Sequence, residues 1–369
     1  MNKNNMSLLI KKKPIKHIKS LYKKVKRLKI KNIPRIIQRT TIPFIKKSSA
    51  HIKSRYDLYK YFNKYLKKEP KKQCLKILDN NKFSICNNKI ILEKRIGSKS
   101  KYGAVYLSKT NDIKSVKTAI KVMVISKDNE NELNILKKCT KIFSNKETSH
   151  FPIIYNSFYC NIPNNNILIP QNINNKNYFI YLNELASGDL RKFTMENKNY
   201  KNDKLFINTM IQVFLAILTF HKKIKYCHND CHDGNFLYHK IKPGGYIKYK
   251  IKNEYYYLEN MGYLWVIWDF GLADNKYFNH FNYNDYSKIM YAFLNRSDGG
   301  WIENNYKTTN NFKQLARIMK INIDYFNFNT INQDEKILKL LMTNTKGLLK
   351  LKDLPSDFTV YNKKAYILL

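Results

Sequence analysis

The chain has 369 residues, 43% of them hydrophobic, with 20 Phe and 28 Tyr, enough for a large buried core and more than one average domain. Its 68 Lys and Arg against 27 Asp and Glu give a net charge of +41, a field that favours nucleic acid, phosphates, acidic proteins or an anionic membrane surface. Lys, Asn, Ile and Tyr recur throughout, as AT-rich coding would produce, so compositional drift is the competing source of that charge outside the N-terminal extension. Six cysteines, at 74, 86, 139, 160, 227 and 231, are too few for a disulfide scaffold. SLLI at 7–10 is far short of a signal-peptide core, and MIQVFLAILTFH from 210 is short for a membrane span. The expectation is an intracellular protein without a transmembrane segment.

Residues 1–72 are rich in Lys and Arg and hold two acids, Asp57 and Glu69. Ile15, Ile18, Leu21, Val25 and Leu28 recur every three or four residues, the pattern of a basic amphipathic helix, until Pro34 and Pro43 break it. A solvated, partly disordered or helical extension is expected there, with nucleic acid or an anionic surface as the partner its charge suits. From about 85 the texture changes. KIILEKRIG, YGAVYLSK and TAIKVMVI read as strands, ENELNILKKCTKIF as a helix, and NYFIYLNELA as a further strand. LFINTMIQVFLAILTFHKK is a strong helix, GYIKYKI and YLWVIWDF are aromatic strands, and helical patterns dominate from Tyr286. Strands first and helices second predict an α+β protein in two lobes.

The densest chemistry lies in YCHNDCHDGNF, residues 226–236. Two Cys and two His there suggest zinc, but one short stretch rarely wraps four ligands around an ion, and no second pair stands elsewhere. A Cys227 or Cys231 nucleophile with a neighbouring His is also weak, because adjacency in sequence does not deliver the geometry. The acids read better. Asp230 precedes Asn235 by five positions in H-x-D-x-x-x-x-N, and Asp269 follows at the end of an apolar strand in WDFG. One carboxylate beside an acceptor hydroxyl, with an amide and a second carboxylate for hard cations, suits magnesium–nucleotide chemistry.

These residues resemble the catalytic loop and DFG motif of the protein-kinase superfamily, and the likeness extends upstream. RIGSKSKYGAVYL, with Ile96, Gly97, Ser98, Lys99, Ser100, Lys101, Tyr102, Gly103 and Val105, resembles the glycine-rich phosphate loop, lacking the middle glycine and carrying one extra residue. AIKVM places Ala119 and Lys121 where the family holds the nucleotide, and ENELNIL offers Glu130 and Glu132 as partners of Lys121, with Glu132 favoured by the apolar spacing behind it. NELASGDL resembles the linker between lobes, so Glu184 and Leu185 would present backbone groups to adenine and Asp189 would contact ribose or substrate. Asp285 matches the helix aspartate that holds the catalytic loop. The resemblance covers roughly residues 88–320. It implies a two-lobed kinase-like fold with a 1–72 basic extension, a 73–186 strand-rich lobe and linker, and a 187–369 helical lobe. It also implies ATP with Mg²⁺ or Mn²⁺, Asp230, Lys121, Glu132 and His232 in catalysis, and Asn235 and Asp269 as metal ligands.

The departures bear on the acceptor. Asn229 replaces the usual Arg, which removes the cation that grips a phosphorylated loop. His232 replaces a lysine, and H-x-D-x-H-x-x-N also resembles small-molecule phosphotransferases such as the aminoglycoside and choline kinases. The segment from Gly271 to Asp285 is short and no APE follows. The pattern is most similar to kinases encoded by large DNA viruses. It implies a serine/threonine protein kinase in host cytoplasm, viral factory or virion, with an acidic or hydroxyl-bearing protein as substrate; a small-molecule kinase and a catalytically silent scaffold stay open.

Overall fold

In the computed structural model, residues 50–78, 82–96, 103–161, 177–195, 202–275, 284–294, 333–343, 347–351 and 354–368 are described. The expected helix at 15–28 and loop residues Gly97, Ser98, Lys99, Ser100, Lys101 and Tyr102 lie outside them. Ile45–Leu369 forms one compact unit, and residues 1–44 lie outside the described residues.

The expected early strands are present. Strands β1 (Lys76–Ile77), β2 (Phe83–Ile85), β3 (Ile90–Ile96), β4 (Gly103–Thr110), β5 (Lys117–Val124), β6 (Ile154–Cys160) and β7 (Tyr178–Asn183) make one sheet in the order β1-β2-β3-β4-β5-β7-β6. All its pairs are antiparallel. Gly103 has its place in β4 because a Cβ there would lie 2.5 Å from the Val122 carbonyl oxygen. Before this sheet runs α1 (Ala50–Tyr65), inside the expected extension; Phe62 and the following Leu66 are buried with Ile120, Val122 and Leu182. Each such side chain contributes roughly 1.5–3 kcal/mol by burial. Between β5 and β6, α2 (Lys127–Ser144) starts abruptly because Ser126 caps it, its side chain accepting from the Asn129 N–H at 3.2 Å.

After β7 come β8 (Gly188–Asp189), α3 (Leu190–Met195) and α4 (Asp203–Ile224). The apolar helix α4 is, among the described residues, the one helix long and apolar enough to cross a membrane; it is mostly buried, with Phe214, Leu215, Ile217 and Leu218 in the larger core cluster. Strands β9 (Phe236–Lys240) and β12 (Tyr263–Ile267) pair antiparallel with β8 beyond them, and β10 (Tyr246–Ile251) and β11 (Glu254–Glu259) form a hairpin. Helices α5 (Asn284–Leu294) and α6 (Gln333–Thr343) follow. The helical expectation beyond Tyr286 is incomplete: β13 (Leu348–Leu349) and β14 (Tyr366–Ile367) return to the two edges of that hairpin, where Tyr366 packs edge-on against Tyr249. The fold is mixed α/β. One disulfide, Cys74–Cys160, joins the segment after α1 to the end of β6, while Cys86, Cys139, Cys227 and Cys231 are free and buried.

Candidate active site

Register brings the first pair together. Lys121 on β5 lies opposite Val105 on one side and Tyr181 on the other, with Ile96 opposite Val105 and Ala119 opposite Asn183. Lys121 Nζ donates to Glu132 Oε1 at 2.7 Å and to Asp269 Oδ1 at 3.3 Å. Glu132, and not Glu130, is therefore the lysine's partner. Burial works against the ammonium, but Glu132 and then Asp269 outweigh it and raise the Lys121 pKa. Burial lifts Glu132, whose Oε2 has no hydrogen-bond partner among the described residues, and Lys121 pulls it back. The two directions differ because Glu132 has lost its water while Lys121 has gained two carboxylates; the 2.7 Å contact supports the charged pair.

Asp269 ends the approach from β12 with φ +60, a strained conformation for a residue with a Cβ. Burial pushes its carboxyl up, but Lys121 prevails and holds it below the ordinary range, ionised. Phe270 anchors the turn, fully buried and stacked on Phe220 with centroids 5.1 Å apart.

The catalytic-loop stretch is held from below. Asp285 on α5 accepts the His228 N–H at 2.6 Å and the Asn229 N–H at 2.7 Å, the role expected for it. His228 buttresses the loop through its Nε2, 2.9 Å from the Trp268 carbonyl. Asn235 Nδ2 donates to both the carbonyl and Oδ2 of Asp230, at 2.9 and 3.0 Å, fixing the carboxylate's orientation. The Trp268 N–H donates to the Asn235 carbonyl at 2.8 Å, tying this loop to the strand end that carries Asp269. His232 caps the turn Asp233–Asn235, its Nδ1 accepting the Gly234 N–H at 3.1 Å. Its Nε2 lies 3.7 Å from Asp230 Oδ2, and its Nδ1 3.6 Å from Asp233 Oδ1. Burial lowers the His232 pKa, yet Asp233 and Asp230 raise it on balance. Cys227 and Cys231 are buried, and burial pushes both thiols up, the opposite of an activated nucleophile.

The start of the segment after Asp269 is tied down by neutral groups. Asn229, in the place of the missing arginine, donates from Nδ2 to the Leu272 carbonyl at 3.1 Å. Asn131 on α2 donates to the Ala273 carbonyl at 2.8 Å, and Cys227 and Asp274 exchange both backbone hydrogen bonds.

The Glu184 N–H is spent on the Ile153 carbonyl at 3.0 Å, so of its backbone groups only the carbonyl is left for a base. Its side chain is buried against Arg55 and His239. Leu185 is half-buried. Asp189 accepts the Lys192 N–H at 2.8 Å and so caps α3. Sequence reasoning missed Arg55, His239 and the His221–Asp334 contact of 2.8 Å. Arg55 had one signal: in a chain where lysine outnumbers arginine many-fold, an arginine marks a position that composition alone does not fill. Arg191 behaves alike, forking onto the buried Asp233 at 3.0 and 3.3 Å.

No protein-family model matches the sequence, and no curated protein matches it. Among solved structures, the chain is similar to the crystal structure of a kinase domain, at 16% identity over 68% of this chain and 78% of that one, with a TM-score of 0.39.

Proposed function

We propose that this chain is an ATP-dependent phosphotransferase of the protein-kinase type, moving the γ-phosphate of ATP to a serine or threonine hydroxyl of a protein. The observation that carries the reading is the meeting of Lys121 with Glu132 and Asp269, at 2.7 and 3.3 Å. It sets a cation for phosphate beside an ionised carboxylate, with Lys121 and Glu132 on consecutive elements and Asp269 148 residues beyond Lys121 along the chain. In this reading Lys121 binds phosphate oxygens and Glu132 keeps it in place. Asp230, oriented by Asn235, accepts the proton of the acceptor hydroxyl. Asp269 and Asn235 fit a magnesium ion. Both offer oxygen, Asp269 is ionised with its side chain 41% exposed, and the Asn235 amide N–H₂ is committed to Asp230, which leaves its carbonyl oxygen for a cation. When bound, Mg²⁺, or Mn²⁺ with the same donors, neutralises charge on the phosphates. Catalysis is then positioning and electrostatic stabilisation without a covalent enzyme intermediate.

His232 favours a second reading, transfer to a small-molecule hydroxyl, because an imidazole beside Asp230 stands where a protein kinase carries lysine. Residues 1–68 are assigned to a nucleic acid or anionic surface on charge alone. Origin in a large DNA virus, with action in host cytoplasm, viral factory or virion, is part of the same proposal and rests on the sequence resemblance. The test is phosphorylation of a cell lysate with Mg-ATP by the full chain and by Asp269→Ala. Labelled protein bands that vanish in the variant support the first reading, and label confined to small alcohols supports the second. Folded wild-type chain without ATP turnover, unchanged in Asp230→Ala, sinks both and leaves a catalytically silent scaffold.

A further inference from the structure

A guanidinium from outside the motif set grips the linker. Arg55 on α1 is 5% exposed. Its Nε and Nη2 fork onto Glu184 Oε2 and Oε1 at 2.8 and 2.5 Å. Nη1 donates to the Ser149 carbonyl at 2.6 Å, and Nη2 also to that of Phe151 at 3.0 Å. The guanidinium carbon stands 5.0 Å from the centre of the Phe143 ring, in the last turn of α2, the helix that carries Glu132. Glu184 is held on its remaining sides: Oε1 also accepts the Ile153 N–H at 3.0 Å, and His239 Nε2 on β9 lies 3.4 Å from Oε2.

A buried ion pair is a poor device for stability alone, since a well-packed apolar pair does as well or better, but it specifies geometry sharply. Here four directed N–H bonds run from one guanidinium, two to the Glu184 carboxylate and two to carbonyls of the stretch 149–151, and so tie that stretch to one residue of the linker. Lysine, a point charge with donors from one atom, cannot reproduce that fork. From Leu185 to Asp189 the chain is half-buried, so the linker is pinned at Glu184 and partly open just beyond it.

We propose that Arg55 is a positioning residue for nucleotide binding: it fixes Glu184, and with it the linker backbone that would hold the adenine, and through Phe143 it braces the helix that brings Glu132 to Lys121. The proposal rests on the phosphotransferase reading. Its consequence is that the catalytic unit begins at α1, ahead of every motif residue, and that ATP affinity is set in part by a segment that touches no ATP.

The test uses the full chain with Arg55→Met and Arg55→Lys, read by ATP kinetics, by thermal melting and by hydrogen exchange of a peptide spanning 180–187. Arg55→Met raises the KM for ATP about tenfold with a smaller change in kcat, and speeds exchange at the Glu184 amide. Arg55→Lys keeps a cation beside Glu184 and gives the same pattern in weaker form; it decides the matter if Arg55→Met does not fold. A purely structural role lowers the melting temperature while leaving KM of the folded protein unchanged, and that result overturns the proposal, as does unchanged linker exchange. Wild-type turnover with indifferent Arg55 variants sinks this proposal alone. A wild-type chain that neither binds nor turns over ATP sinks the phosphotransferase reading and this one with it.

Discussion

Replacing Asp285 by asparagine tests how much of the site's order comes from below it. The carboxylate is fully buried, with one oxygen accepting from the Asn229 amide and the other from the His228 amide and His221 Nε2, at 2.7, 2.6 and 2.9 Å. All three partners are donors, so either orientation of an asparagine amide turns its N–H₂ against at least one N–H. Bonds to charged groups contribute roughly 1.5–3 kcal/mol each, and breaking a buried pair costs about 3–5 kcal/mol, a large share of a typical domain's 5–15.

The pH dependence of the same variant has a definite sign. Burial opposes charge on His221, yet Asp334 and Asp285 outweigh it and raise the imidazole from 6.5 to about 9. Its contribution is complete below pH 6.5 and fades as pH rises through about 9; the shift is worth about 3 kcal/mol. Burial likewise opposes charge on Asp285, but His221 and the His228 amide hold it at about 2, so its contribution is present above 3.8 and lost as pH falls through about 2. The His221 shift is the larger because that ring sits between two carboxylates. Urea denaturation of Asp285→Asn from pH 4 to 10 should therefore show the greatest deficit between about 4 and 6.5 and a narrowing gap towards pH 9 and above. A loss below about 1 kcal/mol, or one independent of pH, would refute the argument.

Asp230→Asn should lower phosphoryl transfer by about 10²–10⁴-fold with ATP affinity within a few-fold of wild type, as measured by single-turnover kinetics beside equilibrium binding. Gly103→Ala sets a Cβ against the Val122 carbonyl at 2.5 Å, and the strain should lower stability by about 1–3 kcal/mol in chemical denaturation. Cys160→Ser, or reduction of the wild type, opens a bridge between residues 86 apart; a loss of about 2–4 kcal/mol is expected, seen as a lower melting temperature with reductant and no reductant effect in the variant.

Local patterns carried much of this molecule. Alternation and β-branching disclosed β3, β4 and β5, and helical spacing disclosed α2 and α4. The resemblance to protein-kinase motifs singled out Lys121, Glu132, Asp230, Asn235 and Asp269, and the structure brings Lys121 to Glu132 and Asp269, and Asn235 to Asp230. What escaped has another character. Arg55 meets Glu184 across 129 residues, His221 meets Asp334 across 113, and Cys74 meets Cys160 across 86. Arg55 alone reads as one more cation in a basic run and Asp334 as one more acid at a helix start, Glu184 reads as linker, and nothing local pairs Cys74 with Cys160. Their pairing exists only once the chain has closed, and no periodicity announces it. The strands β13 and β14 were hidden for a related reason: two residues are too few to show alternation, and they are strands only because the hairpin offers them edges.

The junction after Asp269 gives one more result. The hydrogen bonds from Asn229 and Asn131 to the Leu272 and Ala273 carbonyls, and the pair between Cys227 and Asp274, run between amides and backbone carbonyls, groups without formal charge. Salt does not screen such bonds as it screens ion pairs, and protons neither add to nor leave them across the physiological range. In a chain carrying +41, whose contacts with any polyanion would weaken with ionic strength, these particular bonds depend little on salt. Salt would therefore act on the site through the pairs of Lys121 with Glu132 and Asp269 before it acts on the bonds to the Leu272 and Ala273 carbonyls.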